Sequence, residues 1–387
     1  MIPAWKLRRE MRRLSHHISS LPKRIASVPS KLKERREVAT YDRDFDRLVQ
    51  ITHGDQVAKT KYAIFLLYQP KAVPRSVFLT LEYLVDRGYA PLVVINGSVA
   101  PEHIPALRRR SWLLVQRGNI GYDFGGYRDG LRVLRERVDS LERLIVMNDS
   151  VWFPIGGDPV STLEDRLDNQ DLDAVGLNQD QKATSKPDGS AEFEDRQIES
   201  YFYLFSARLW ASDTFRDFWQ SYRMSSDKKY TIKHGEVGFS KQMMGAGHRF
   251  AGLMRRSDFL GQIDRCSADF LRKVLTYAAY ADADYAQVRD DLLARYDESE
   301  TWRQDALKHI RRYALRRPFN VSFCVASDRL VGTTYMKKNS QTYFHDMRVQ
   351  YLRAVTDGAI ASPDPIILEE IQALVASHDP RTAERTL

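Results

Sequence analysis

Cysteine and long apolar runs are scarce in this sequence. Its 387 residues contain only Cys266 and Cys324, too few for a disulfide framework, so we expect a reducing compartment. Because no apolar run approaches about 18 residues, we expect no membrane-spanning helix. The first residues are basic, but no apolar segment follows them, which argues against a secretory signal. The histidines lack the Cys/His spacing that is typical of zinc sites.

The positive charge is confined to one end of the chain. Residues 1–37 hold eleven Lys and Arg against three Glu, which accounts for the whole net charge of +8. Apolar residues recur between the bases at steps of three and four, interrupted by Pro22 and Pro29, as in a broken amphipathic helix. We interpret residues 1–50 as a basic amphipathic arm that contacts an anionic membrane surface through residues 1–37. A solvated or oligomerising arm is the alternative.

Buried apolar runs alternate with helical segments from residue 60 onward. The runs are KYAIFLLY (61–68), APLVVING (90–97), SWLLVQRG (111–118), RLIVMNDS (143–150) and LDAVGLNQ (172–179). This alternation predicts a mostly parallel sheet with helices on both faces, and ligands bind such sheets at the carboxyl ends of the strands. Residues 180–196 are polar and rich in turn formers, which predicts a loop or lid. We divide the rest of the chain into an α/β domain (58–255) and a mainly helical region (256–387) that contributes to an acceptor site or to oligomerisation.

The third apolar run ends in the glycine-rich segment NIGYDFGGYRDG (119–130). Glycines let the backbone approach a ligand closely, and the helix that follows offers free N–H groups to phosphate. The spacing is not that of a dinucleotide-binding GxGxxG, and the kinase and Walker A motifs are absent. A tight turn that caps the next helix is the structural alternative.

The fourth run ends in Asn148, Asp149 and Ser150, followed by VWFP. A carboxylate at the carboxyl end of a central strand is costly unless it is paired or binds a ligand. A divalent cation with a diphosphate is one such ligand, and capping of the next turn is the alternative.

The two linked motifs, NxGYDFGGYRDGL and NDSVWFP, resemble the rhamnan synthesis protein F family of bacterial polysaccharide glycosyltransferases over about residues 60–350. The resemblance implies a GT-A-like, Rossmann-related fold that binds a nucleotide sugar. In such enzymes a strand-end acidic motif holds a metal on the diphosphate. Here Asp149 is the single carboxylate where the usual motif has two. This leaves two alternatives: Asp149 binds Mg²⁺ or Mn²⁺, or the site works without a metal. The implied donor-binding residues are Asn119, Gly121, Asp123, Gly125, Gly126, Arg128, Asn148 and Ser150.

A third segment, TIKHGEVGFSKQMMGAG (231–247), contains the candidate catalytic base. Inverting GT-A enzymes place an acidic residue at a helix start in this part of the chain, and Glu236 is similarly placed. A sugar hydroxyl needs such a base to take its proton. Glutamate in a first helical turn also favours the helix dipole, which is the structural alternative. Further acceptor or diphosphate candidates are His234, Lys337, Lys338 and His345.

The resemblance therefore implies an inverting glycosyltransferase, cytoplasmic and peripheral on the inner face of the membrane. It would transfer a sugar, with L-rhamnose suggested by the family name, from a nucleotide sugar to a lipid-linked or cell-surface polysaccharide such as lipopolysaccharide O-antigen. The alternative is a catalytically inactive GT-A-like scaffold in a polysaccharide assembly complex. A nucleic-acid-binding arm is a third, less favoured reading.

Overall fold

The computed structural model describes residues 28–186, 191–332 and 334–378, which form a mixed β-sheet flanked by helices. The strands are β1 (Gln50–His53), β2 (Lys61–Leu67), β3 (Tyr89–Asn96), β4 (Leu113–Arg117), β5 (Arg143–Asn148), β6 (Val151–Trp152), β7 (Ala174–Ser185), β8 (Ala191–Ile198), β9 (Phe202–Ser206), β10 (Phe250–Met254) and β11 (Met336–Lys337). The main sheet has the order β1-β4-β3-β2-β5-β9-β7-β10, with β8 paired to β7, and β6 pairs with β11.

Six strands of the main sheet run in the same direction. Parallel pairing joins β4, β3, β2 and β5, and it also joins β7 to β10. The strands β1, β8 and β9 are antiparallel to their neighbours. The carboxyl ends of β2, β3, β4 and β5 therefore meet at one edge of the sheet. Because β9 is antiparallel to β5, the residues that precede β9 lie at that same edge.

Helices cover both faces of this sheet. They are α1 (Val28–Arg43), α2 (Phe45–Leu48), α3 (Arg75–Asp86), α4 (Ile104–Arg109), α5 (Tyr122–Arg135), α6 (Pro159–Asn169), α7 (Ala207–Ala211), α8 (Asp213–Ser221), α9 (Lys228–Tyr230), α10 (Val237–Gly245), α11 (Arg256–Ile263), α12 (Ala268–Thr276), α13 (Ala283–Ala294), α14 (Glu300–Ala314), α15 (Phe319–Ser322), α16 (Cys324–Ala326), α17 (Thr342–Thr356) and α18 (Pro365–Ala376). Short 3₁₀ and π turns cover Pro101–His103, Thr231–Glu236 and Ser327–Val331.

Strand β2 shows why its sequence forms a central strand. Successive side chains point to opposite faces, so a strand that is covered on both sides is apolar throughout. Phe65 packs in a core cluster with Leu81 of α3 and Leu163 of α6. Ile64, on the other face, packs in a cluster that contains Tyr127 of α5. The predicted mostly parallel α/β sheet with helices on both faces is confirmed, and so is the mainly helical region after residue 255.

The segment predicted as a loop or lid is instead a β-hairpin. Strand β7 continues to Ser185 and pairs antiparallel with β8. Most side chains of β8 are exposed or only partly buried, so the sequence of this strand shows no apolar periodicity. Backbone pairing with β7 defines this strand, so the prediction of a loop over 180–196 was wrong.

The predicted basic arm is only partly within the described residues. Residues 1–27 lie outside them, and the prediction for that segment is untested. Helix α1 packs on the α/β body through Val38 and Tyr41, which are buried, and β1 pairs with β4 at the sheet edge. Pro29 lies in the first turn of α1, where proline is tolerated because its missing N–H would be unpaired anyway. The arm therefore ends earlier than residue 50.

The C-terminal region is joined to the carboxyl edge of the sheet. Strand β11 pairs antiparallel with β6, directly after the end of β5. Glu370 of α18 accepts hydrogen bonds from the backbone N–H of Ser76 (2.9 Å) and from Nε1 of Trp152 (2.8 Å). Its carboxylate lies at the first turn of α3, where the helix dipole favours negative charge. Within the described ranges, no helix is both long and apolar enough to cross a membrane.

Candidate active site

A cleft with two adjoining lobes lies at the carboxyl edge of the sheet. The first, here called the glycine-turn lobe, has a volume of about 370 Å³ and is lined by residues at the ends of β2, β3 and β5 and in the turn before α5. The second, here called the carboxylate lobe, has a volume of about 580 Å³ and is lined by the β7–β8 hairpin, residues 199–201, the π turn and Lys337. Four residues line both lobes: Tyr122, Asp123, Asn148 and Ser150. One ligand can therefore extend from one lobe to the other.

The glycines of the turn have two different roles. Gly121 lines the glycine-turn lobe with φ +78°, a backbone conformation that favours glycine. A Cβ on Gly125 would lie 2.3 Å from the carbonyl oxygen of Ile120, and one on Gly126 would lie 2.4 Å from Cδ1 of Leu66. The predicted donor contact of Gly125 and Gly126 is thus corrected: they let α5 pack closely on the turn and the sheet.

The glycine-turn lobe combines aromatic rings with amides. Tyr68 and Tyr122 line it and are 50% and 43% exposed, although tyrosines in this fold are otherwise mostly buried. Nδ2 of Asn96 donates to Oδ1 of Asn119 at 3.0 Å, which fixes two amides at the adjoining strand ends. Among the described residues, no Lys or Arg lines this lobe. Its chemistry suits a neutral, flat and polar group such as a nucleoside, because rings and amides can stack on and hydrogen-bond a base.

Asp149 lies in the glycine-turn lobe, and one of its oxygens is already occupied. Its Oδ2 accepts hydrogen bonds from the backbone N–H of Tyr68 (3.2 Å) and from Nε2 of Gln69 (2.8 Å). Burial raises the pKa of this carboxyl above its ordinary value. Oδ1 of Asn148 accepts from both the N–H and the hydroxyl of Ser150 at 3.1 and 2.5 Å.

This donor set does not fit a divalent cation held by the protein. Mg²⁺ and Mn²⁺ prefer several oxygen ligands, and Asp149 offers one oxygen that is not already facing N–H donors. In the described residues, no three His, Cys, Asp or Glu side chains are grouped so that they could hold a metal ion. The hydrogen bonds instead give Asp149 a positioning role, since they hold the turn that carries Tyr68.

Two further carboxylates meet where the lobes join. Asp123 lies in the first turn of α5 and lines both lobes, and Glu236 ends the π turn and lines the carboxylate lobe. Ser200 lies between them: its hydroxyl donates to Oδ2 of Asp123 at 3.1 Å, and its N–H donates to Oε2 of Glu236 at 3.1 Å. The π turn can approach α5 this closely because residue 235 is glycine. A Cβ on Gly235 would lie 2.7 Å from the ring of Phe124.

Burial dominates the electrostatics of both carboxyls. Desolvation raises the pKa of Asp123, against hydrogen bonds from Phe124 and Ser200 that lower it. Desolvation also raises the pKa of Glu236, and the negative charges of Glu199 and Asp123 raise it further. A carboxylate with a raised pKa is a stronger base, so Glu236 has the property that proton abstraction requires.

The carboxylate lobe holds the cations of the cleft. Lys228 and Lys337 line it. Nζ of Lys337 lies 2.5 Å from Oε2 of Glu199 and 4.7 Å from the ring centre of Tyr201. Lys337, a predicted acceptor or diphosphate residue, therefore lies at the cleft, because the pairing of β11 with β6 brings it there.

Two predicted cations lie elsewhere. The guanidinium of Arg128 pairs with Asp42 (2.5 Å) and Asp129 (3.1 Å) and does not line either lobe. Nζ of Lys338 donates to Ser76 at 3.2 Å, and burial lowers the pKa of this lysine. Lys338 lines neither lobe, although its charge acts on Asp149.

The two predicted histidines are not part of the cleft. His234 is exposed, with its ring 4.3 Å from that of Tyr230. His345 lies in the first turn of α17, and its ring stacks on that of His378 at 4.0 Å. Neither ring lines a lobe.

Several lining residues were not predicted from the sequence. They include Tyr68, Glu199, Ser200 and Lys228. Tyr68 is the last residue of the predicted run 61–68, so the rule that ligands bind at strand ends could have found it. Glu199 and Ser200 join β8 to β9, two strands that both run antiparallel to β7, and β8 has no apolar signal in the sequence.

Comparison with known proteins identifies the family. A sequence model of rhamnan synthesis protein F matches residues 92–272. An uncharacterized protein of Sinorhizobium fredii, y4gN, is 32% identical over 277 residues, covering 72% of this chain and 68% of that protein. The chain belongs to the rhamnan synthesis protein F family. The predicted family is confirmed, and its sequence model spans both the glycine turn and Glu236.

Two solved structures match about half of this chain with little sequence identity. A 4-diphosphocytidyl-2C-methyl-D-erythritol synthase has 10% identity and a TM-score of 0.31, covering 51% of this chain and 89% of that one. A putative nucleotide-diphospho-sugar transferase from Desulfovibrio desulfuricans has 14% identity and a TM-score of 0.29, covering 50% and 80%.

Proposed function

We propose that the protein is an inverting glycosyltransferase that moves a sugar from a nucleoside diphosphate donor to a polysaccharide hydroxyl. The acceptor oxygen forms a bond to the anomeric carbon while the bond from that carbon to the phosphate oxygen breaks. The nucleoside diphosphate leaves with the electron pair, and Glu236 takes the acceptor proton. The observation that carries the proposal is the two-lobed cleft. Glu236, a carboxylate with a raised pKa, lines the carboxylate lobe beside its junction with the glycine-turn lobe.

The donor nucleoside occupies the glycine-turn lobe in this proposal. Tyr68 and Tyr122 offer exposed rings for the base, and Asn119 offers an amide. The diphosphate then lies toward Asn148 and Ser150, at the junction with the carboxylate lobe. There Lys228 and Lys337 face the charge that develops on the leaving group, and cations aimed at such charge lower the barrier.

The acceptor sugar occupies the carboxylate lobe. Carboxylates and amides accept and donate hydrogen bonds to sugar hydroxyls, and Asp180, Gln197 and Asn339 line this lobe beside Glu236. Membership in a rhamnan synthesis family makes L-rhamnose the donor sugar that we propose to test first. The acceptor is a growing cell-surface polysaccharide such as O-antigen.

We further propose that the protein works at an anionic membrane surface. Residues 1–37 carry eleven basic side chains, and bases near such a surface add about 1 kcal/mol each. In α1, Lys33, Arg35 and Arg36 are exposed. Glu34 of the same helix accepts a hydrogen bond from Ser225 at 3.1 Å, next to Ser226 of the glycine-turn lobe. The arm would therefore hold the cleft close to a lipid-linked acceptor.

Substitution of Lys337 tests the placement of the diphosphate. We expect Lys337→Ala to weaken the binding of UDP, dTDP or GDP, whichever binds best in calorimetry, by about tenfold or more, because a charge-assisted contact contributes about 1.5–3 kcal/mol. Arg128→Ala is the matched control and should change the affinity by less than about twofold, since Arg128 lines neither lobe. Weaker binding in the Arg128 variant with unchanged binding in the Lys337 variant would contradict this placement.

Metal dependence follows from the contacts of Asp149. We expect the affinity for the same nucleoside diphosphate to change by less than about threefold when EDTA replaces MgCl₂ or MnCl₂, because the residues at Asp149 do not fit a protein-held cation. Calorimetry in the two buffers measures this. A strict metal requirement that is lost in Asp149→Asn would instead assign Asp149 as a metal ligand.

An inactive scaffold is the second candidate, and the occupied oxygen of Asp149 is the observation that favours it. A scaffold would bind the nucleoside diphosphate but release none from nucleoside diphosphate-L-rhamnose in the presence of a cell-envelope polysaccharide fraction. Release together with incorporation of the sugar supports the transferase.

A further inference from the structure

Ser200 is held by three polar contacts between β8 and β9. Its carbonyl oxygen accepts a hydrogen bond from the hydroxyl of Tyr127 at 2.8 Å. Its N–H and its hydroxyl donate to Glu236 and to Asp123, each at 3.1 Å. The residue is 9% exposed, so all its polar groups are directed at protein partners within the cleft wall.

The two carboxylates that Ser200 contacts come from separate parts of the fold. Asp123 belongs to the first turn of α5, and Glu236 belongs to the π turn before α10. Asp123 lines both lobes, whereas Glu236 lines the carboxylate lobe only. Ser200 therefore joins Asp123, which it contacts through its hydroxyl, to Glu236, which it contacts through its N–H.

We propose that Ser200 is a positioning residue that couples Asp123 to Glu236 and keeps both in the ionised form while the acceptor binds. The inference rests on the proposed function, because the ionised form of Glu236 is the one that can take a proton. Ser200 itself does not exchange protons with the substrate. Its hydroxyl donates to a carboxylate, and such a donor stabilises the charged form.

Other charged groups face the pair from several elements. Glu199 faces Glu236 and raises its pKa, and Lys228 of α9 faces Asp123 and lowers the pKa of that carboxyl. The buried phenols of Tyr127, Tyr203 and Tyr222 also surround the pair, and burial raises the pKa of each. These groups remain in place when only the serine hydroxyl is removed, so its contribution can be measured alone.

The test removes and then restores the hydroxyl. In Ser200→Ala the backbone contacts to Tyr127 and Glu236 persist, but the donor to Asp123 is lost. Asp123 loses its hydroxyl donor, and Glu236 loses the lowering effect that the serine side chain has on its pKa. Both pKa values should therefore rise, and the acidic limb of the transfer rate should move to higher pH. Relative to the wild type, the variant should lose more of its transfer rate at pH values below the acidic limb than at pH values above it. Ser200→Thr keeps a hydroxyl and should return the limb toward the wild-type position.

Carbon-13 NMR titration of the carboxyl groups provides a readout that does not depend on transfer. Side-chain carboxyls of Asp and Glu are labelled in the full chain, and Asp123→Asn and Glu236→Gln assign the two signals. Ser240→Ala is the matched control, because Ser240 is also buried but its hydroxyl accepts from the N–H of Ile198 at 3.3 Å. This control should leave both titrations unchanged even if it lowers the melting temperature.

The outcomes separate this inference from the proposed function. Titrations that move to higher pH in Ser200→Ala and return in Ser200→Thr support the coupling. Titrations that do not move in Ser200→Ala overturn it, whatever the activity, and so does a Ser200→Thr variant of normal melting temperature that titrates like the alanine variant. Shifted titrations without transfer from any nucleoside diphosphate sugar retain the coupling and overturn the glycosyltransferase.

Discussion

Glu236→Gln is expected to lower the rate of sugar transfer by about 10²–10⁴-fold, the usual contribution of a general base. Glutamine has the same size, and its amide oxygen can accept the hydrogen bond that the N–H of Ser200 gives to Oε2 at 3.1 Å, so the fold should persist. It lacks the capacity to take a proton at neutral pH. Transfer from nucleoside diphosphate-L-rhamnose to a cell-envelope polysaccharide fraction measures the rate.

Binding of the nucleoside diphosphate should be nearly unchanged in the same variant, because Glu236 does not line the glycine-turn lobe. In the wild type the rate should fall as the pH is lowered through the pKa of Glu236, which burial and the neighbouring carboxylates raise above the ordinary value of 4.5. Glu236→Gln should lose this acidic limb.

Glu194→Gln is the control for charge removal alone. Glu194 lies on β8 with its side chain 74% exposed and paired at 3.8 Å with Lys182 across the hairpin. The Glu194→Gln variant should therefore transfer sugar at a rate within about twofold of the wild type. Transfer by Glu236→Gln at more than about a tenth of the wild-type rate would remove Glu236 from the proposed base role. Either Asp123 or Asp180 would then be the next carboxylate to substitute.

The strands of the central sheet could be predicted because burial on both faces leaves continuous apolar runs. The predicted run at 61–68 corresponds to β2, and the run at 143–150 contains β5. The run at 172–179 contains the buried first half of β7, but residues 180–185 and β8 could not be predicted in this way. Most of their side chains are exposed or only partly buried, and backbone pairing defines the hairpin. A sequence with no apolar period looks like a loop even where it forms two strands.

The candidate site could be predicted where it lies at the end of an apolar run. Asp123 and Asp149 were predicted on that basis, and both line the cleft. Arg128 was not placed correctly, because its direction depends on the helix that follows the turn. Arg128 lies five positions after Asp123, which rotates its side chain by about 140° around α5. Gly126, between these two residues, faces the sheet. Lys337 was proposed because a departing diphosphate needs a nearby cation, and only the pairing of β11 with β6 explains its position.

Asp129→Ala is expected to produce the largest loss of stability. Asp129 and Arg117 have side chains with 0% exposure, and Nε of Arg117 lies 2.6 Å from Oδ2 of Asp129. The same oxygen accepts from the hydroxyl of Tyr41 at 2.6 Å. Removing the carboxylate leaves a buried guanidinium without its counter-ion, which costs about 3–5 kcal/mol. Urea denaturation measures the change in the free energy of unfolding.

The effect should also reach the cleft, because Arg117 supports the floor of the glycine-turn lobe. Its guanidinium donates to Asn96, which lines that lobe, and to the carbonyl oxygen of Ile120 at 2.8 Å, directly before Gly121. We therefore expect Asp129→Ala to weaken nucleoside diphosphate binding in the fraction that stays folded. Asp42→Ala removes the exposed carboxylate of α1 that pairs with Arg128 and should cost no more than about 1 kcal/mol. Equal losses in the two variants would mean that the buried pair contributes no more to stability than a surface ion pair, and that α1 rather than Arg117 holds the glycine turn.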